Sequence, residues 1–173
     1  FAGNYTVDLI VRDRLSGKVA ARREKLELPA DDASFWTTEA VLSRHAEPLK
    51  QTARNGDVFT QGNVQIRPSP SREFQATDNL IVFFQLYNAA LNREIGTPLV
   101  RVTVTLMKDR KPAARPIDYQ LTETSTNPVP HLTFAKFIKL TGLPPGEYSA
   151  MIESRDLVQQ KVGRQQASFV IVP

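Results

Sequence analysis

Two histidines, His45 and His131, are the only imidazoles in the chain, and there is no cysteine. Nucleophilic or metal chemistry would have to be built around them or around the acidic pairs Asp31-Asp32 and Asp57 with Asp78. Neither histidine has a partner at the spacing of a zinc peptidase helix, HExxH. The absence of cysteine removes disulfides, thiolate zinc sites, iron–sulfur clusters and thiol nucleophiles together. The aspartates do not follow the alternating spacing of a calcium loop, which needs several oxygens converging on one ion. A GxSxG elbow, a GxxxxGK phosphate loop and a GxGxxG turn are also missing, so hydrolase, nucleotide-binding and dehydrogenase readings fall. No catalytic residue, cofactor or metal site is expected. Asn4-Tyr5-Thr6 fits the glycosylation pattern, which acts only in a glycosylating secretory pathway.

The residues that can carry function are therefore those of a surface. Leu80 to Tyr87 is apolar on both faces of an extended strand, with Leu80, Val82, Phe84 and Leu86 on one side and Ile81, Phe83 and Tyr87 on the other. The second face needs cover, either from a neighbouring module or from a partner. Phe35-Trp36 poses the same choice between a plug at a module junction, the preferred reading, and an exposed anchor. Ile81, Phe83, Tyr87, Phe35 and Trp36 form the candidate interaction surface.

These residues must be held by strands. The first and last parts of the chain repeat without a gap: Gly3 matches Gly146, Tyr5 matches Tyr148, and Arg12-Asp13 matches Arg155-Asp156. Lys18-Val19 matches Lys161-Val162 at the same offset of 143 (146 minus 3). Repeats of this kind mark repeated supersecondary units. The repeat also decides an ambiguity. Lys18 to Leu28 taken alone is rich in helix formers, but its partner stretch holds Ser168, Phe169, Val170, Ile171 and Val172, a β-branched and aromatic run. Both copies are predicted to be hairpins, the first with Tyr5, Val7, Leu9 and Val11 on one face. Between them, strands are predicted at Glu39 to Arg44, Val58 to Gln61, Val64 to Arg67, Leu80 to Asn88, Leu99 to Lys108, Ile117 to Thr122 and Leu132 to Leu140. Asn55-Gly56-Asp57, Pro68-Ser69-Pro70, Asn127-Pro128-Val129-Pro130 and Pro144-Pro145-Gly146 punctuate them.

Leu143-Pro144-Pro145-Gly146-Glu147-Tyr148 places a tyrosine at a strand entry just after a Pro-Gly turn. This resembles the tyrosine corner of immunoglobulin-like and fibronectin type III sandwiches, where the hydroxyl bonds backward to the loop backbone. The expected fold is all-β: an immunoglobulin/fibronectin III-like β-sandwich over residues 63–173, with about 100 residues in seven strands. It is preceded by a partial β module over residues 1–62, made of the hairpin 3–28, a linker and short strands. By the repeat, that hairpin corresponds to the last two strands of an earlier module. An isolated hairpin is marginal in water, so it is expected to pair with the 39–67 strands, with the second module or with another chain.

The 173 residues carry 22 Lys plus Arg against 18 Asp plus Glu, a formal charge of +4 and a pI of about 9.5. The densest basic cluster, Arg12, Arg14, Lys18, Arg22, Arg23 and Lys25, is interrupted by Asp13, Glu24 and Glu27. It reads as a solvated strand face and not as a nucleic-acid stripe. The longest apolar run, Leu80 to Phe84, is far short of the ~20 residues that span a bilayer as a helix. With Phe1 at its start and no basic-then-apolar leader, the chain is expected to be a processed or partial one.

The Gly-x-Tyr strand, the Arg-Asp pair and the return strand together resemble the C-terminal modules of acidobacterial von Willebrand factor A-related secreted proteins. In these a β-sandwich ends with a segment like Leu143 to Tyr148, then Arg155-Asp156, then a strand closing on Val-Pro. The Leu80 to Tyr87 strand resembles their long apolar, aromatic-rich strand. The adhesion signature DxSxS is absent, so the A domain and its ion binding are not carried over. The resemblance implies export, to the periplasm, the cell surface or the medium. The expected role is a non-catalytic protein–protein interaction or structural module of an envelope or secreted protein. Its partners are expected to be proteins: subunits of a membrane-associated complex, on which the chain docks as an accessory, or an upstream domain of the same polypeptide. A carbohydrate-binding module with Trp36 or Tyr87 as stacking platform is the next alternative. An enzyme whose site forms no linear motif comes last.

Overall fold

Alternation of apolar and polar residues makes the first strand of a hairpin at the start of the chain. In the computed structural model, which describes residues 3–28, 34–49, 59–124 and 130–173, β1 (Gly3–Arg12) pairs antiparallel with β2 (Val19–Leu28) over their full length. The helix formers of β2 adopt strand because every residue of it faces one of β1. Asp8 faces Arg23 and accepts from its guanidinium at 2.6 and 2.9 Å. The turn closes when the Asp13 amide donates to the Lys18 carbonyl at 2.9 Å, and Gly17 supplies the left-handed residue, φ 71°. The acidic pair Asp31-Asp32, the Asn55-Gly56-Asp57 turn, Val58 and Asn127-Pro128-Val129 lie outside the described residues.

The chain divides into two compact units, Phe1–Ser34 and Phe35–Pro173. The second unit begins with β3 (Trp36–Thr37), β4 (Val41–Ser43) and β5 (His45–Pro48), followed by β6 (Thr60–Gln61), β7 (Val64–Arg67) and β8 (Glu73–Gln75). The long strands follow: β9 (Asn79–Tyr87), β10 (Val100–Lys108), the short β11 (Lys111–Pro112), β12 (Ile117–Leu121), β13 (His131–Lys139), β14 (Gly146–Asp156) and β15 (Val162–Val172). There is no helix among the described residues. Residues 35–49 and 59–62, expected in the first module, belong to this unit: β3 and β4 pair with β9, and β5 and β6 pair with β7.

Two sheets close on one core. One runs β11-β10-β14-β15-β8, with β12 also on β10; the other holds β13, β9, β3 and β4. β8 joins the edge of β15 in parallel, the other pairs being antiparallel. Val100, Val102, Val104 and Leu106 of β10 point inward, as do Tyr148, Ala150 and Ile152 of β14 and Ala167, Phe169 and Ile171 of β15. They meet Leu80, Val82, Phe84 and Leu86 of β9 and Phe134 of β13. The Phe84 and Phe134 rings stack at 4.8 Å, and Phe74 meets Phe169 edge-on at 5.7 Å. Each such side chain contributes about 1.5–3 kcal/mol on burial, which is what holds the layers together.

The opposite face of β9 forms a second, smaller core. Ile81 and Phe83, with Ala135, pack against Ile66 of the three-stranded sheet β5-β7-β6, with Val41, Ala46 and Phe59 beside them. The strand expected over Glu39 to Arg44 is shorter, β4 at Val41–Ser43 on β9, and past a break at Arg44 the chain enters the three-stranded sheet as β5. Ser43, fully buried, pins this break: its hydroxyl bridges to the carbonyl of Arg67 and accepts from the His45 amide at 2.9 Å.

Candidate functional site

A continuous row of apolar residues that faces water on a regular strand demands an explanation, because the corresponding rows on β10, β14 and β15 are buried. On β1, Tyr5, Val7, Leu9 and Val11 share a face, joined across the hairpin by Leu26 and Leu28 of β2. Every one of them is exposed, Tyr5 by 41% and Leu9 by 54%.

The last hairpin shows what such a face does when covered. Gly146 pairs with Ile171 and Arg155 with Val162, as Gly3 pairs with Leu28 and Arg12 with Val19. The repeat is therefore a repeat of register, residue for residue. It extends to the turn: the Asp156 amide donates to the Lys161 carbonyl at 2.9 Å, and Gln160 takes the left-handed place of Gly17, φ 56°. In this copy Tyr148, matching Tyr5, is 4% exposed and Ile152, matching Leu9, is 2% exposed. Phe169 and Ile171 are buried where Leu26 and Leu28 are open. The edges differ likewise. β14 pairs with β10 and β15 with β8, whereas β1 and β2 pair with each other alone among the described residues.

Tyr148 behaves as the corner motif predicts. Its hydroxyl donates to the Pro144 carbonyl at 2.7 Å, and its ring stacks on Phe169 at 5.6 Å with Lys108 over the other side. Gly146 is needed at the entry: at φ 145°, an added Cβ would stand 2.9 Å from the Lys108 ammonium, which itself donates to the Pro145 carbonyl at 3.0 Å.

The residues expected to form a surface on β9 do not do so together. Ile81 and Phe83 are buried in the second core by the chain's own β5-β7-β6 sheet, which corrects their place in an interaction surface. Sequence alternation showed that this face needs cover, and the cover is intramolecular. Tyr87 is half-buried, and burial raises its phenol above its ordinary range. Trp36, opposite Tyr87 in the sheet, stacks flat on it at 4.4 Å. Tyr87 also lies against His131 at 5.6 Å and donates its hydroxyl to Gln85 at 2.8 Å; the Gln85 amide meets the His131 ring at 3.1 Å. Phe35 packs on the main core, with Thr37 and the ring of Phe35 near Gly163. Trp36 is 37% exposed and keeps part of an open ring. Phe35 and Trp36 thus close the end of the second unit's own sandwich.

His131 is buried and His45 lies on β5, where the Arg44 guanidinium donates to its ring at 3.2 Å. No cluster of three or more metal-ligating side chains occurs among the described residues, and no helix there is long and apolar enough to cross a membrane. The buried carboxylate of Asp156 is a structural acceptor. It takes hydrogen bonds from the amides of Ala90 at 2.7 Å, Val158 at 2.8 Å and Gln159 at 3.1 Å, and from the Gln159 side chain at 2.8 Å. The hairpin face of β1 and β2 is the feature that sequence reasoning ranked below β9. Its signal was present in the repeat, since Tyr5 matches Tyr148, which is buried in the last hairpin. No protein-family model matches the chain, and no curated protein matches it.

Proposed function

We propose that this chain is a non-catalytic, all-β interaction module that binds protein through its N-terminal hairpin. The observation that carries the reading is the opposite burial of two hairpins in one register: Leu9 open and Ile152 covered. The apolar face of β1 and β2 supplies affinity by burial, and their outer edges, which pair with no other strand among the described residues, supply backbone hydrogen bonds for β-strand addition. The second unit reads as an immunoglobulin or fibronectin III-like sandwich by its Tyr148 corner. The resemblance to the C-terminal modules of von Willebrand factor A-related secreted proteins supports placing the module in the envelope or outside the cell.

Because the chain has no cysteine, a single introduced thiol tests this directly. In the purified chain Leu9→Cys reacts with a maleimide at the rate of an open thiol. In native cells the same position is expected to be protected, with denaturation restoring the label. Equal reactivity of Leu9→Cys and of a companion Tyr5→Cys in both settings overturns the reading.

A further inference from the structure

The cover of the first hairpin is specified by the cover of the last one. Residue for residue, β1 and β2 reproduce β14 and β15 in register, in the hydrogen bonds of the turn and in the left-handed residue that closes it. In the second unit three things complete that hairpin. β10 adds antiparallel to the free edge of β14, pairing Val100 through Met107 with Asp156 through Ser149. β8 adds parallel to the end of β15. The sheet of β9 and β13 lays Leu80, Val82, Phe84 and Phe134 over the inward face. A fourth contact comes from the chain after β9, where the Ala90 amide donates to Asp156.

We infer that β1–β2 is the closing hairpin of a second sandwich of this same build, whose other strands stand N-terminal to it in the full polypeptide. The order of the chain argues for that source. Every strand that covers β14 and β15 precedes them in sequence, and a hairpin that ends one module and leads at Phe35 into the next has the arrangement of tandem modules. The missing sheet presents aliphatic and aromatic side chains to Tyr5, Val7, Leu9, Leu26 and Leu28, and an edge strand runs antiparallel to β1 over Thr6 to Asp13, the match of Ser149 to Asp156. A backbone amide there takes the part of Ala90 and donates to Asp13. A second copy of the chain fits less well, since its own β9, β10 and β13 are already occupied by its own β14–β15 hairpin.

This inference rests on the proposal that the hairpin face is a binding surface, and its test separates the two. Amide hydrogen exchange is measured on the 173-residue chain over a range of concentrations and on the full-length polypeptide, with light scattering of both. The expected result is exchange slowed at least about tenfold, in the full-length protein at one chain per particle, for those amides of Thr6 to Asp13 that do not donate to β2, with the same amides unprotected in a monomeric short chain. Leu9→Lys and, separately, Leu26→Lys should abolish that protection and leave β14 and β15 unchanged. Protection that appears in the short chain with rising concentration makes a second copy the occupant. Protection of the full-length protein that needs a separate subunit makes that subunit the occupant. Either result overturns the inference and leaves the binding surface standing. A full-length polypeptide that has no strands before the hairpin, or one in which Thr6 to Asp13 exchange as in the short chain, also overturns it. If Leu9→Cys is open in every setting, both fall.

Discussion

Asp13 and Asp156 stand at the same corner of two hairpins in one register, and one is in water while the other is in the core. Asp156 is fully buried and holds the Ala90, Val158 and Gln159 amides, so it ties the last turn to the segment after β9. The Asp13 carboxylate accepts from the Leu15 amide at 2.9 Å and from the Ser16 hydroxyl, both within its own turn, and these bonds lower its titration below the usual carboxylate range. Asp156→Ala should therefore destabilise the second unit by about 2–4 kcal/mol, since it strands a buried amide and removes charge-assisted bonds. Asp13→Ala should leave the unfolding of that unit unchanged. Thermal unfolding followed by near-ultraviolet circular dichroism, which reads Tyr148 and Trp36, checks both.

Tyr148→Phe keeps the ring against Phe169 and removes the bond to Pro144. The expected loss is about 1 kcal/mol, the ordinary worth of one such hydrogen bond, measured as a shift in the urea midpoint at constant slope. Tyr148→Ala also opens a cavity and should cost about 3–5 kcal/mol. A Tyr148→Phe variant as weak as Tyr148→Ala would show that the corner bond dominates the ring.

Phe83 seats the three-stranded sheet on the sheet of β9 and β13, meeting Phe59 edge-on at 5.8 Å. Phe83→Ala should cost about 3–5 kcal/mol and release β5, β6 and β7 first, seen as new protease cleavage between His45 and Arg67. Phe137, which lies on β13 with its ring largely in water, is the control. Phe137→Ala should change stability by less than about 0.5 kcal/mol.

The all-β character was legible because the long strands carry strict alternation: β10 reads Val100, Val102, Val104 and Leu106 inward with Arg101 and Thr103 outward. β2 was legible only through its repeat partner, since its local composition favours helix and cross-strand pairing overrides that weak preference. β3, β5 and β8 escaped because two to four residues are too few to show a period. Their places depend on pairing with β9, β7 and β15, contacts distant in sequence. The turn between β10 and β11 escaped as well: Asp109 and Arg110, at φ 49° and 64°, make a two-residue hairpin turn without the Asn-Gly or Asp-Gly that usually announces one. For the candidate surface, the apolar second face of β9 was visible, but which segment would lie on it was not. The strand holding Ile66 was read from the sequence, but its pairing with β5, where Ala46 lies, was not, because β5 is too short to show a period.

Glu153 gives a prediction for pH. Its carboxylate accepts from Arg155 and from Arg164, each at 2.9 Å, and these guanidinium bonds hold its titration below the ordinary glutamate range. A carboxyl whose folded pKa is depressed contributes stability that is complete above its unfolded pKa, about 4.3, and is lost as pH falls through the lower folded value. The side chains are over a third exposed at Arg155 and more so at Arg164, so solvent screening keeps the contribution within about 1 kcal/mol. Glu153→Gln should therefore unfold a degree or two below the native chain at pH 7, with the gap closing below about pH 4. Raising the salt to about 0.5 M at pH 7 should narrow it as well, because the Debye length then falls to a few ångströms. A gap that persists at pH 3 would show that the loss does not come from the charge of the carboxylate.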